Sequence, residues 1–206
     1  MLSSSRRSLV LPFLGRLDMS VYTRTGDKGS SSLFTGERRR KDDAVFQALG
    51  NTDELNSILG ICAEFCGING LEDLQEKIIV TQSKLIDAMS AIATPPKSAT
   101  DAKLKRVNFG EEHTIFLEKW IDGLERDVPP LKQFIVPSGG IAATHLHLAR
   151  SICRRAERSI VPLILEENIP QNVGKFINRL SDFLFVAARY ASMKNGRKEL
   201  PYKKEE

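Results

Sequence analysis

The sequence predicts an all-α fold, a five-helix bundle with an ordered N-terminal phosphate-binding loop. Three observations carry this prediction. Apolar residues recur at helical spacing through five long segments. Gly and Pro clusters separate those segments. No run of alternating β-branched residues reads as a strand.

The first helix is expected from Asp42 to about Phe65. It carries Val45, Leu49, Leu55, Ile58, Leu59 and Phe65, and Gly67 and Gly70 end it. The second runs from Leu71 to Ala93, with Leu71, Leu74, Ile78, Leu85 and Ile92 on one seam. Pro95-Pro96 stops it, and a polar linker reaches about Asn108. The third spans Glu111 to about Arg126, with Ile115, Phe116, Trp120 and Leu124 inward, before Pro129-Pro130. Pro137-Ser138-Gly139-Gly140 is a tight turn. A long fourth helix follows to about Val161 or a little beyond, and Pro162 is expected to kink or end it. Pro170 to about Met193 is the fifth.

The two ends differ from this body. Met1 to Leu17 holds Arg6, Arg7 and Arg16, is rich in serine, and lacks acids until Asp18. Arg-rich, Ser-rich and acid-free composition marks an organellar transit peptide, so residues 1–19 are read as a leader to the mitochondrial matrix. A disordered basic tail is the alternative. Residues 20–194 form the helical domain, and 195–206 a charged tail expected to fray.

Composition narrows the function. Of 206 residues, 41% are hydrophobic and 27% charged, enough apolar material for one core. No apolar run approaches membrane-spanning length. Three cysteines, Cys62, Cys66 and Cys153, do not make a disulfide framework. Cys62 and Cys66 stand one helical turn apart without a second ligand pair, so they read as buried thiols rather than a zinc site. His113, His145 and His147 form no nucleophile or metal signature. A net charge of +4 permits a polyanion partner without requiring one.

The fourth helix carries the strongest chemical signal. At 100° per residue, His147, Arg150, Arg154, Glu157 and Arg158 share an arc of roughly 100°, with Arg155 further round. Ile141, Leu146, Leu148, Ala149, Ile152, Cys153, Ala156 and Ile160 fill the opposite side. An Arg-rich stripe suits phosphate oxygens, because guanidinium presents a planar donor fork. A solvated face is the plainer reading of any charged stripe. The fifth helix adds Lys175, Asn178, Asp182 and Arg189, and the first adds Asp53, Asn56 and Ser57. Asp53, Glu157 and Asp182 are the acids expected to partner the arginines. The loop from Thr23 to Ser32 reads as a phosphate cradle, with glycines exposing backbone N–H groups, and Lys41 adds a charge. It is not a Walker loop.

Three blocks together resemble the ATP:cob(I)alamin adenosyltransferases of the all-helical trimeric type. They are Tyr22-Thr23-Arg24-Thr25-Gly26-Asp27-Lys28-Gly29, then Thr52-Asp53-Glu54-Leu55-Asn56-Ser57, then Pro137-Ser138-Gly139-Gly140 leading to Cys153-Arg154-Arg155-Ala156-Glu157-Arg158. Asn178-Arg179-Leu180-Ser181-Asp182 supports them. The loop departs from many relatives, with serines where a Thr follows the second Gly.

The resemblance implies a homotrimer with sites between subunits. It implies that cob(I)alamin attacks the ribose 5′ carbon of ATP and expels triphosphate, with Mg²⁺ as cofactor. By position it implies ATP contacts at Thr23, Arg24, Thr25, Gly26, Ser31, Ser32, Lys41, Arg154, Arg155, Glu157, Arg158 and Asn178. It makes Asp53 and Arg150 an ion pair across the interface, and Phe134 an aromatic that strips the lower cobalt ligand. From residues alone, Phe134 reads equally as a core Phe. A cobalamin reductase and an adenosylcobalamin-dependent mutase are the implied protein partners. Two other classes stay open: a non-catalytic cobalamin carrier, and a basic nucleic-acid binder, which the interleaved acids disfavour.

Overall fold

The computed structural model describes residues 26–204. The transit-peptide reading of residues 1–19 and the contacts expected of Thr23, Arg24 and Thr25 fall outside them. The fold is mainly helical: α1 Ala44–Ile68, α2 Glu72–Ile92, α3 Asp101–Arg106, α4 Glu112–Glu125, α5 Ile141–Leu165 and α6 Gln171–Lys194. Two small antiparallel strand pairs join them: the hairpin of β1 Ser30–Ser32 with β2 Arg38–Arg40, and the long-range pair of β3 Ile135–Val136 with β4 Leu200–Pro201.

The five predicted helices are α1, α2, α4, α5 and α6. Asp43 caps α1, its carboxylate accepting from the Val45 N–H at 2.9 Å. α1 packs against α2 and α5, α5 against α6, and α6 against α4. Between them lie fully buried Leu55, Leu59, Ile78, Leu85, Leu146, Ile160 and Phe183. Burial of such a side chain contributes about 1.5–3 kcal/mol, so this core dominates stability. Trp120 packs in as expected, its ring 5.7 Å from Phe183 and 4.7 Å from Phe116.

Several expectations are corrected. The linker holds α3, which Thr100 caps. Its six residues, DAKLKR, offer no apolar stripe to detect. α5 does not stop at Pro162 but runs to Leu165. That proline lies in the last turn, where it and Arg158, whose carbonyl it leaves unbonded, are both exposed. Strands of two or three residues are too short to show alternation. Ile115, Ile141 and Leu148 are exposed rather than core. The tail does not fray over its described length, because β4 pairs with β3 and Tyr202 N–H donates to the Phe134 carbonyl at 2.8 Å.

The turn before α5 depends on its glycines. Gly139 and Gly140 have φ of 101° and 96°, a region costly for other residues. A Cβ on Gly139 would also run into buried Ser192 of α6. Gly139→Ala is therefore expected to cost about 2 kcal/mol or more, combining backbone strain and overpacking. Thermal denaturation should show a melting point lowered by about 4–8 °C for a domain of this size; an unchanged melting point would refute the argument.

Candidate active site

The hairpin β1–β2 shapes the end of the Gly/Ser-rich loop. Ser31 faces Arg39 and Ser32 faces Arg38 in register, while Ser30 faces Arg40. Gly29 N–H donates to the Gly26 carbonyl at 3.2 Å, and Lys41 N–H to the Gly29 carbonyl at 2.9 Å. This turn brings the Lys41 ammonium beside Gly26, so a Cβ there would meet Nζ at 3.0 Å. Lys41 is exposed at this end of the loop, beside Gly26. The three-arginine strand was not singled out in the sequence; a run of three basic residues was its signal.

The α5 arc separates into paired and unpaired groups. Arg155 forms an ion pair with Glu54 of α1. Glu157 accepts from Asn178 Nδ2 of α6 at 2.7 Å. Asp182 is taken by Arg179, which also reaches Glu118 of α4 at 3.0 Å. Exposed Arg154 and Arg158 form no ion pair with any described residue, and neither does exposed Asp53. Among the described residues, none of the α5 arginines pairs with Asp53, Glu157 or Asp182; of these acids only Asp182 has an arginine partner, Arg179 of α6. Arg150 is half-buried, with its guanidinium 5.7 Å from the Phe185 ring centre and its Nε buried without a hydrogen-bond partner.

His147 corrects the polar arc. It is 4% exposed, and its ring meets Phe185 edge-on at 5.9 Å. Arg189 corrects the α6 stripe: it is 8% exposed, and donates to Glu199 at 2.8 Å and to the Pro129 carbonyl at 2.7 Å. Lys175 turns away to Glu111 at 3.2 Å.

Phe134 is 81% exposed, so the core-Phe reading is overturned. It borders a cavity of about 370 Å³ with Leu131, Ile135, Arg150, Arg154 and Phe185. Ser181 and Asp182 of α6 complete the wall. Phe185 received no role from the sequence; its placement opposite Arg150 depends on the α5–α6 packing. A larger groove of about 500 Å³ lies between α4 and α6, where Asp182 and Phe185 also line it. No backbone hydrogen bond between described residues joins the β1–β2 hairpin to α5.

The thiols offer no chemistry. Burial pushes Cys62 and Cys66 up to about 12 and Cys153 higher still, so all three stay protonated. Among the described residues no group of three or more His, Cys, Asp or Glu side chains could hold a metal.

Arg154, without an ion pair among the described residues, and an aromatic-walled cavity together suit an anion held beside an apolar ligand. The chain belongs to the cobalamin adenosyltransferase family, whose model matches residues 21–191. It is similar to the mouse corrinoid adenosyltransferase MMAB, 52% identical over 89% of this chain and 77% of that protein. The human protein of the same name is 50% identical, over 89% and 73%. A variant PduO-type ATP:corrinoid adenosyltransferase from Lactobacillus reuteri, solved with cobalamin and ATP, superposes with a TM-score of 0.82 at 37% identity. That match covers 90% of this chain and all of the other. The chain is a corrinoid adenosyltransferase.

The Arg189–Glu199 clasp holds both the Phe134 loop, through Pro129, and the tail that pairs with it. Glu199→Gln is expected to cost about 3 kcal/mol, because Arg189 is left buried without its counter-charge. Urea denaturation at neutral pH checks this; a midpoint equal to wild type would mean that the clasp adds nothing.

Proposed function

We propose that the chain transfers the 5′-deoxyadenosyl group of ATP to cob(I)alamin, with the Arg154 arc holding the triphosphate and the Phe134 cavity holding the corrinoid. One observation carries this reading: Arg150 and Arg154 share a cavity with Phe134 and Phe185. A polyphosphate and a flat apolar macrocycle would meet along such a wall.

The chemistry needs no protein nucleophile. The cobalt(I) electron pair forms the Co–C5′ bond, the C5′–O bond breaks, and its electrons leave on triphosphate. Charge develops on the leaving oxygens, so preorganised cations are what lower the barrier. Arg154 and Arg158 suit that task because no described acid already neutralises them. Glu157 and Asn178, joined at 2.7 Å, present a mixed acceptor–donor pair to the nucleoside. Arg155, already paired with Glu54, holds α1 against α5 behind the site. Gly26, Ser31, Ser32 and Lys41, with Thr23, Arg24 and Thr25 before them, cradle the phosphates. Mg²⁺ would accompany the triphosphate, and the arginines and Lys41 would add to the neutralisation of its charge.

The site is completed between subunits of a homotrimer. Among the described residues no hydrogen bond or ion pair links the hairpin's Ser31, Ser32 or Lys41 to the α5 arc, and Asp53 and Arg150 form no ion pair. Leu148, 49% exposed on α5, supplies apolar surface for the same contact. Asp53 then pairs with Arg150 across the interface. Phe134, outside the core, fills the space below the corrin ring, excludes water and the lower ligand, and so eases reduction of Co(II). The basic, acid-poor residues 1–17 and the similarity to the mammalian proteins support a mitochondrial matrix location. A reductase that supplies cob(I)alamin and a mutase that receives adenosylcobalamin complete the proposal.

Incubation with ATP, Mg²⁺ and chemically reduced cobalamin tests the reaction. Adenosylcobalamin and unbroken triphosphate are expected; ADP with phosphate would mean attack at phosphorus and end the proposal. For Arg154→Ala, loss of one preorganised donor should lower kcat about 10²–10³-fold, with melting unchanged because the side chain is exposed. Wild-type kcat and KM for ATP would remove Arg154 from the site.

A further inference from the structure

We propose that His147 is a positioning residue for the corrinoid cavity: its imidazole, wedged behind Phe185, holds that ring and the Arg150 guanidinium against the cavity wall. This rests on the reading of the Phe134 cavity as the corrinoid site.

The geometry is specific. His147 and Arg150 lie three residues apart on α5, so they stack on one face. Both meet the same ring of α6. His147 approaches Phe185 edge-on at 5.9 Å, and the Arg150 guanidinium carbon lies 5.7 Å from its centre. Phe185 in turn lines the cavity with Phe134 and Arg154. His147 itself does not line the cavity, so it acts through Phe185 and Arg150.

The position tolerates only an uncharged ring. His147 Nδ1 is buried without a hydrogen-bond partner, and so is Arg150 Nε one turn on. A protonated ring would carry an N–H at Nδ1 with no acceptor, a cost of about 1–3 kcal/mol or more. It would also set a second cation against Arg150. Two charged groups act on the imidazole, Arg150 on its own helix and Glu199 from the segment before β4. Glu199 is already engaged by Arg189 of α6. Burial, then Arg150, lower the imidazole below its ordinary 6.5, and Glu199 opposes them. The folded protein therefore binds this proton more weakly than the unfolded chain does. Its contribution is intact above pH 6.5 and is lost as the pH falls through 6.5 toward the folded value.

The test is cob(II)alamin affinity in the presence of ATP, by absorbance titration at pH 8 and pH 5, for wild type, His147→Phe, His147→Ala and Phe185→Ala. At pH 8, His147→Ala should weaken cob(II)alamin binding about tenfold with ATP affinity unchanged, and His147→Phe should stay within about threefold of wild type. On going to pH 5, wild type should lose more affinity than His147→Phe, which keeps the ring but carries no proton. Wild-type affinity in His147→Ala, or an equal pH response in wild type and His147→Phe, would overturn the inference. If Phe185→Ala also binds cob(II)alamin as wild type does, the reading of the cavity fails instead.

Discussion

The structure depends on how closely α5 is gripped by two neighbours. Ala142, Ala143, Ala149, Cys153 and Ala156 are all buried at its inner surface, and α1 and α6 both pack there. Small side chains let the backbones approach. The Cys153 thiol reaches the Ile177 carbonyl of α6 at 3.2 Å, with no room for a larger residue between them. A helix held on two sides has only one free sector. In α5 that sector carries Arg154, Arg155 and Arg158. Core and cationic surface are thus two consequences of a single packing constraint.

That constraint also explains what the sequence revealed. Helical periodicity locates five of the six helices, because each buries a repeating stripe. It gives the angular order of residues, but not the width of the buried sector. His147 lies at the border, beside Arg150 on a helical wheel, and is buried because Phe185 of α6 comes over it. Leu148 lies on the apolar side and yet is exposed, because no second element of the same chain reaches it. Both errors concern neighbours, which a single-helix wheel does not contain. The tail failed for a similar reason. Glu199 reads as one charge among many until Arg189, ten residues earlier, is seen to be buried and in need of it.

The site residues were legible unequally. Of the candidate residues on α5 and α6, Glu157 and Asn178 meet across the two helices, while Arg154 and Arg158 are exposed on α5. Among the described residues, Asp53 forms no ion pair with them. Sequence spacing constrains what shares a helix face, and says nothing of what a second copy supplies. The cavity behind Phe134 was hidden for a further reason. Its wall combines a loop, two helices and a strand whose partner lies more than sixty positions away.

Charge pairing separates the roles of the arginines. Arg155 and Arg179 are bound to carboxylates and tie helices together. Arg154 and Arg158 are left without one among the described residues, although Glu157 lies three residues from Arg154 on the same helix. Glu157 is instead held by Asn178, a neutral donor. Like charges one turn apart repel, at a few tenths of a kcal/mol when exposed. A fold that spends its nearby acids elsewhere retains cations whose attraction is unspent. Such cations stabilise charge that appears only during reaction, because no reorganisation is required when it arrives. The thiols, pushed high by burial, offer no competing nucleophile. The division of labour follows: the protein supplies positive potential and a shaped apolar wall, and the corrinoid supplies the electron pair.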